Sequence, residues 1–332
     1  MDFDFTDEQR DIKSTAHEFL ASRYKPEHVR ELAESDSPYS DEDWKAISEL
    51  GWPGIAIAEE HGGEGLGTVE LVILQEELGY FCAPSPFIAN ALAGAAIEAA
   101  GSDEQKGKWL PGIASGEARG SAEMTCDPGP ILGAAKGASI LVMANGNGAK
   151  LVEPEEAELE RIDMIDSTRA YFRVKAEGGE DMPGDIARAG SVGQIAMAAE
   201  LVGIAQRALD MAVEYAKERQ QFGRPIGAYQ AVSHRLAEML WAVEEARSLT
   251  YSAAWAADSD PELVPIAASM AKARASDAAT SVTHDAIQTL GGIGFTWEHD
   301  VHFFLKRARA SAQMLGTARA HRDNVATLVG LS

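Results

Sequence analysis

Two short stretches near the C-terminal end carry residue types and spacings that a cofactor site needs. In Gln288-Thr289-Leu290-Gly291-Gly292-Ile293-Gly294-Phe295 a glycine pair ends a long helix-like run. Glycine tolerates the backbone that closes a helix and presents no side chain, so a dinucleotide-type cofactor can approach there. In Met314-Leu315-Gly316-Thr317 a last helical pattern begins just after Leu315, a residue with no exchangeable proton. Arg219-Gln220-Gln221-Phe222-Gly223 joins a permanently charged planar donor to an aromatic ring. Taken singly, Arg219 fits better as a charge complementing its helix end, and Phe222 as a core residue. His61 lies in the glycine-dense loop Glu59-Glu60-His61-Gly62-Gly63-Glu64-Gly65-Leu66-Gly67. A base is conceivable there, but loop packing is the expected role. Cys82 and Cys126 show neither Cys-x-x-Cys spacing nor a histidine cluster, so both are read as structural, with no disulfide framework and no metal site.

Charge narrows the function classes. With 29 Lys+Arg against 52 Asp+Glu in 332 residues, the net charge is −23, which opposes nucleic-acid binding. A bound anion would need local basic residues and helix ends. The acidic runs Glu34 to Asp43 and Glu153 to Glu160 read as solvated faces. Apolar runs stop short of the ~20 residues of a membrane span, and Met1-Asp2-Phe3-Asp4-Phe5 lacks a basic signal region. No membrane association and a cytoplasmic location are expected.

The elements that must position these residues are mainly helical. Thr6 with Gln9 three residues on forms a capping box ahead of a 3.6-like spacing through Ile12, Ala16, Phe19 and Leu20. Asp41 opens another helix, Thr68 to Leu78 is a third that closes at Gly79, and Ala89 to Ala100 suits close helix packing. Residues 112–120 break the helical pattern. Ser139 to Met143, Asn145-Gly146-Asn147-Gly148 and Ala149 to Val152 read as a hairpin, and Ala170 to Lys175 as a strand before the turn Glu177-Gly178-Gly179-Glu180. The region 121–186 allows five or six short strands. Long helices follow, over Ser191 to Gln221, Tyr229 to Asp258, Pro261 to Leu290, Val301 to Gln313 and Thr317 to Leu328. The predicted organisation is an N-terminal helical domain (1–120), a short middle β domain (121–186) and a C-terminal four-helix-bundle-like domain (187–332).

Five segments in this order resemble the acyl-CoA dehydrogenase family: Phe5-Thr6-Asp7-Glu8-Gln9; Glu59-Glu60-His61-Gly62-Gly63 with Glu76-Glu77-Leu78-Gly79; Gly203-Ile204-Ala205-Gln206-Arg207-Ala208-Leu209; Glu218-Arg219-Gln220-Gln221-Phe222-Gly223; and Gln288-Thr289-Leu290-Gly291-Gly292. The resemblance covers nearly the whole chain. It implies FAD held across a subunit boundary, an acyl-CoA thioester as substrate, and a glutamate that removes the α-proton while the flavin takes the β-hydride. By the same resemblance Arg219 reaches the neighbour's FAD pyrophosphate, Phe222 packs on adenine or ribose, and Gln230 bonds that end of the cofactor. Gln288, Gly291 and Gly292 form the segment the cofactor approaches, and Thr317 either touches FAD or caps its helix.

The chain departs from the family at the base. One family position for the glutamate, before the Gly-Thr pair, holds Leu315, and the other, on the long helix, falls near Gly193. Glu200 lies two turns further along, ~10 Å away, and Glu298 reads as a surface acid. Loss of a general base costs ~10²–10⁴ in rate. Cys126-Asp127-Pro128-Gly129 resembles a family Glu-Pro-Gly segment, but the expected tryptophan-bearing flavin-edge strand has no counterpart, since no tryptophan lies between Trp109 and Trp241. The expectation is a base-less subunit of an α2β2 acyl-CoA dehydrogenase, its homologous partner supplying the glutamate and thioester pocket. The chain resembles subunits that act on steroid side-chain CoA thioesters, which implies a bulky substrate. Two alternatives stand beside it: an autonomous enzyme with Glu200 or His61 as displaced base, and a flavin-free acyl-CoA-binding or assembly protein.

Overall fold

The structure, a computed structural model, describes residues 4–123, 131–145 and 148–331. Six helices come first: α1 (Asp7–Arg23), α2 (Pro26–Glu34), α3 (Asp41–Glu49), α4 (Thr68–Tyr80), α5 (Phe87–Ala100) and α6 (Asp103–Ser115). Seven strands follow: β1 (Gly120–Glu123), β2 (Ile131–Gly133), β3 (Ile140–Asn145), β4 (Gly148–Val152), β5 (Ala157–Ile162), β6 (Tyr171–Ala176) and β7 (Glu180–Met182). The remainder is helical apart from one small ribbon: α7 (Ala187–Glu218), β8 (Gln220–Gln221), β9 (Arg224–Pro225), α8 (Gln230–Ser259), α9 (Val264–Leu290), α10 (Val301–Ser311) and α11 (Ala318–Leu328). The chain is therefore mainly α with a small β lobe, as its sequence pattern predicts.

Local chemistry explains most element ends. Thr6 accepts from Gln9 N while the Gln9 side chain accepts from Thr6 N, the predicted capping box. Several bounds differ from expectation, among them α7, which runs Ala187–Glu218 rather than Ser191 to Gln221. Gly79 does not end α4, which runs on to Tyr80. A Cβ on Gly79 would lie 2.3 Å from the Glu200 carbonyl oxygen, and one on Gly203 would lie 1.9 Å from that of Glu76. Both glycines exist to let α4 and α7 cross backbone to backbone, a need that reads locally like a stop signal. Likewise α6 continues through Pro111 and Gly112 to Ser115, and the break comes only at Gly116, with φ +77°. The β region holds seven strands among the described residues rather than five or six, because β1, β2 and β7 are too short to show a period of two.

Those strands form two sheets, ordered β1-β3-β4-β7 and β2-β6-β5. β1 runs parallel to β3; β3 and β4 pair antiparallel with Asn145 opposite Gly148, flanking the predicted turn, whose residues 146 and 147 lie outside the described ones. Alternation along the strands assigns the faces. Leu141 and Val152 meet Leu132, Phe172 and Val174 between the sheets, while Ile140, Val142, Ala149 and Leu151 turn to the helical core. On β5 the exposed Glu158 and Glu160 pair across to Lys175 (3.6 Å) and Arg173 (2.9 Å), a solvated acidic face as read from sequence. The Cys126 segment falls outside the described residues, whereas Cys82 is buried and its thiol is pushed up to about 11 by burial. It is a packing cysteine.

The paired acids Glu76 and Glu77 prove to be a structural clasp. Glu76 accepts from Lys13 (3.2 Å), Arg247 (3.2 Å) and Tyr251 (2.8 Å), and Glu77 from His17 (2.8 Å), tying α4 to α1 and α8. Burial disfavours the Glu76 charge, but Lys13, Arg247 and Tyr251 together hold its carboxyl below the ordinary range.

Candidate functional site

The loop after α7 presents two of the sequence-predicted residues to the outside. Strands β8 and β9 are joined by Phe222 and Gly223, with φ +51° and +81°, the primed geometry a two-residue hairpin favours. The register is fixed by Ile226 N donating to Arg219 O (2.8 Å) and Tyr229 Oη donating to Gln221 O (3.0 Å). Phe222 is thereby held at the tip, 92% exposed and in a conformation that strains a bulky side chain. Arg219 is exposed beside it, in no ion pair among the described residues.

The other cofactor candidates lie at the ends of α8 and α9. Arg235 of α8 faces Asp285 of α9 at 3.8 Å, so the N-terminus of α8, with exposed Gln230, and the C-terminus of α9, with exposed Gln288, share one end of the helical layer. Gly291 has φ +66°, and a Cβ added at Gly291 or Gly292 would meet nothing within 4 Å. The backbone there is open to something from outside the chain. An unpaired guanidinium, an uncovered ring, two exposed amides and bare backbone suit the phosphate and adenosine end of a dinucleotide.

Thr317 is placed elsewhere. Its side chain caps α11, accepting from Ala320 N at 3.1 Å. The preceding carbonyl of Gly316 accepts from Lys272 (3.1 Å) in the middle of α9. Gln288 is 16 residues further along that helix, ~24 Å away, so Thr317 does not join the Arg219 and Gln288 group.

The two base positions, far apart in sequence, meet in space. A Cβ on Gly193 would lie 3.3 Å from Leu315 Cδ1 and 2.6 Å from Leu92 Cδ2. Leu315 is 8% exposed, with φ +56°, and its carbonyl accepts from His321 Nε2 at 2.9 Å, which fixes the tautomer protonated there. Burial, aided by nearby Lys272, lowers the His321 pKa. The two positions at which the family resemblance places a glutamate thus hold glycine and leucine, with Leu92 packed against them. Leu92 was not singled out from sequence, since nothing in an Ala-rich helix marks one leucine as a wall.

Of the two displaced-base candidates, Glu200 is buried and His61 half-buried. Glu200 is fully buried and accepts from Arg169, Arg307 (3.1 Å) and Ser311 (3.0 Å). Arg307 also meets Asp166 (3.0 Å) and Thr168. Burial and the neighbouring Arg169 oppose the Arg307 charge, yet Asp166 and Glu200 prevail and its pKa is raised. This network joins the segment before β6 to α7 and α10. Sequence alone does not reveal it, because its members are spread from Asp166 to Ser311 with no local pattern. His61 closes a short 3-10 turn, 3.7 Å from Glu60, in keeping with loop packing, and Glu298 is exposed.

The fold is thus a helical layer with a small two-sheet lobe and an exposed two-residue hairpin after its longest helix. Residues 6–117 match the acyl-CoA dehydrogenase N-terminal domain and residues 187–329 the acyl-CoA dehydrogenase C-terminal domain. The chain belongs to the acyl-CoA dehydrogenase family. It is 32% identical over 314 residues to acyl-CoA dehydrogenase IpdE2 of Mycobacterium tuberculosis, covering 94% of each chain. It is 35% identical over 297 residues to acyl-CoA dehydrogenase FadE34 of the same organism, covering 81% of this chain and 39% of FadE34. Among solved structures, a variant of the Tcur3481-Tcur3483 steroid ACAD superposes with a TM-score of 0.90 at 26% identity, over 97% of both chains. No helix among the described residues is long and apolar enough to cross a membrane.

Proposed function

We propose that this chain is the base-less subunit of a heteromeric, FAD-dependent acyl-CoA dehydrogenase. The observation that carries the reading is the convergence of Gly193, Leu92 and Leu315 on one spot with no carboxylate, while Arg219, Phe222, Gln230, Gln288, Gly291 and Gly292 remain open. When bound, FAD supplies the hydride acceptor for α,β-dehydrogenation. Arg219 pairs with the cofactor pyrophosphate, Phe222 covers its adenosine end, Gln230 and Gln288 bond it, and the glycine pair lets it approach. These residues serve a cofactor shared with a homologous partner, whose glutamate removes the α-proton and whose pocket takes the thioester. An α2β2 assembly follows from two such shared sites related by symmetry.

The relatives support this division. The Tcur3481-Tcur3483 steroid ACAD is named for two chains, and more than half of FadE34 lies outside the stretch matched here. A bulky, steroid side-chain type of CoA thioester is the proposed substrate class. The deciding experiment purifies the chain alone and co-expressed with a family member encoded beside it. Bound flavin and turnover only in the mixture are expected. Turnover by the chain alone would remove the proposal, and absence of flavin from both would favour a flavin-free acyl-CoA-binding or assembly role.

A further inference from the structure

A cavity of about 340 Å³ lies between the turn after α3, the N-terminus of α4, α5 and the start of α7. Its walls are mostly apolar, with Trp52, Ile57 and Leu71 on one side and Val192 on the other. Helix α5 contributes Ala91, Ala95 and Ala99, at i, i+4 and i+8, so the space stays open on that face. Leu92 and Gly193 are chain neighbours of Ala91 and Val192 but point to the spot beside Leu315. The cavity therefore shares α5 and α7 with that spot but is lined by other residues of them, Ala91 and Val192 rather than Leu92 and Gly193.

Three charged side chains line it. Asp258 is committed to the N-terminus of α4, accepting from Thr68 N (2.8 Å) and Val69 N (3.1 Å). Gly67 makes this possible, since a Cβ there would lie 2.5 Å from Asp258 Oδ2. Glu98 accepts from Ala58 N at 3.0 Å. Arg188, which is exposed, makes one hydrogen bond, to Ala257 O at 3.3 Å, and no ion pair among the described residues. Its remaining donors have no protein acceptor there, and the two carboxylates are already occupied.

We propose that this cavity is a second ligand site, taking a neutral apolar compound of ring size with one carbonyl oxygen directed to Arg188. The volume is in the range of small-molecule pockets, and apolar walls with a few polar groups are their usual lining. Neutrality follows from the charge count: one guanidinium against two carboxylates leaves a local excess of negative charge, which disfavours an anionic ligand.

The test is a binding titration of the purified full chain with 2-decalone and with decalin-2-carboxylate, followed by calorimetry and ligand-observed NMR. It needs neither flavin nor turnover, so its outcome is independent of the subunit reading. Saturable binding of the ketone is expected, with the carboxylate weaker by roughly tenfold. Ala95→Trp, which fills the cavity, lowers the ketone's affinity at least about tenfold, and Arg188→Met lowers it about three- to tenfold, the loss of one ordinary, solvent-exposed hydrogen bond. Arg188 is exposed, so that variant keeps the fold even if Ala95→Trp does not. Absence of saturation up to about 1 mM, affinity unchanged in both variants, or tighter binding of the carboxylate would overturn the proposal.

Discussion

Phe222 and Leu315 share an unusual backbone conformation and opposite surroundings. Both are bulky residues at positive φ, yet Phe222 is exposed and Leu315 buried. Such strain costs on the order of 1–3 kcal/mol and persists where something repays it. At Phe222 the hairpin imposes it on a side chain that packs on little among the described residues, its nearest ring, Tyr229, being 6.5 Å away. Phe222→Gly should therefore leave the thermal midpoint of the isolated chain unchanged or raised, while the co-purified complex loses flavin; a lowered midpoint with flavin retained would make Phe222 a packing residue. Leu315 belongs to the core and touches the Gly193 position. A carboxylate in place of this buried leucine would be desolvated, so Leu315→Glu should destabilise the chain by roughly 1–3 kcal/mol and confer no dehydrogenation on it. A dye-reduction assay with flavin added checks the second point, and turnover by this single variant would show the pocket to be otherwise intact.

Helix contacts carry the next level of organisation. The α4–α7 crossing depends on Gly79 and Gly203, where any side chain would meet backbone rather than a movable neighbour. Gly203→Ala should cost more than about 3 kcal/mol or prevent soluble expression, measured by denaturant unfolding. The junction between α10 and α11, which holds Leu315, is pinned to α9 by Lys272, whose Nζ donates to Ser276 Oγ (3.1 Å), Ala312 O (3.2 Å) and Gly316 O (3.1 Å). Burial lowers its pKa to about 7, partly offset by Glu200. An amine whose folded pKa is depressed binds fewer protons folded than unfolded between about pH 7 and its ordinary value of 10.5, so its contribution to stability rises with pH across that window. The slope is at most about 1.4 kcal/mol per pH unit. Lys272→Met should flatten the stability profile between pH 7 and 9, within that range; parallel profiles for the two proteins would place the titration elsewhere.

For the whole molecule, the distribution of open and closed features matters more than any single residue. The end bearing Arg219, Gln230, Gln288 and the glycine pair is uncovered, whereas Gly193, Leu92 and Leu315 pack together with no carboxylate among them. In the proposed assembly the mixture should sediment as a four-chain particle with about two flavins, and the chain alone should retain none after gel filtration. A four-chain particle without flavin would separate assembly from cofactor binding.

Much of this was legible in the sequence. Helix periodicity, the Thr6 capping box and the glycine pair after Leu290 are local signals, because helices and their ends are fixed by residues a few positions apart. The family and the missing glutamate follow from the same local stretches. Only the tertiary structure showed that Gly193 and Leu315 are one place with Leu92 as its third wall, and that Glu200 is locked between Arg169 and Arg307. It alone revealed that Gly79 serves a helix crossing and not a helix end. Those facts depend on which distant backbones approach one another, and a pattern confined to one segment carries no record of its neighbours in space.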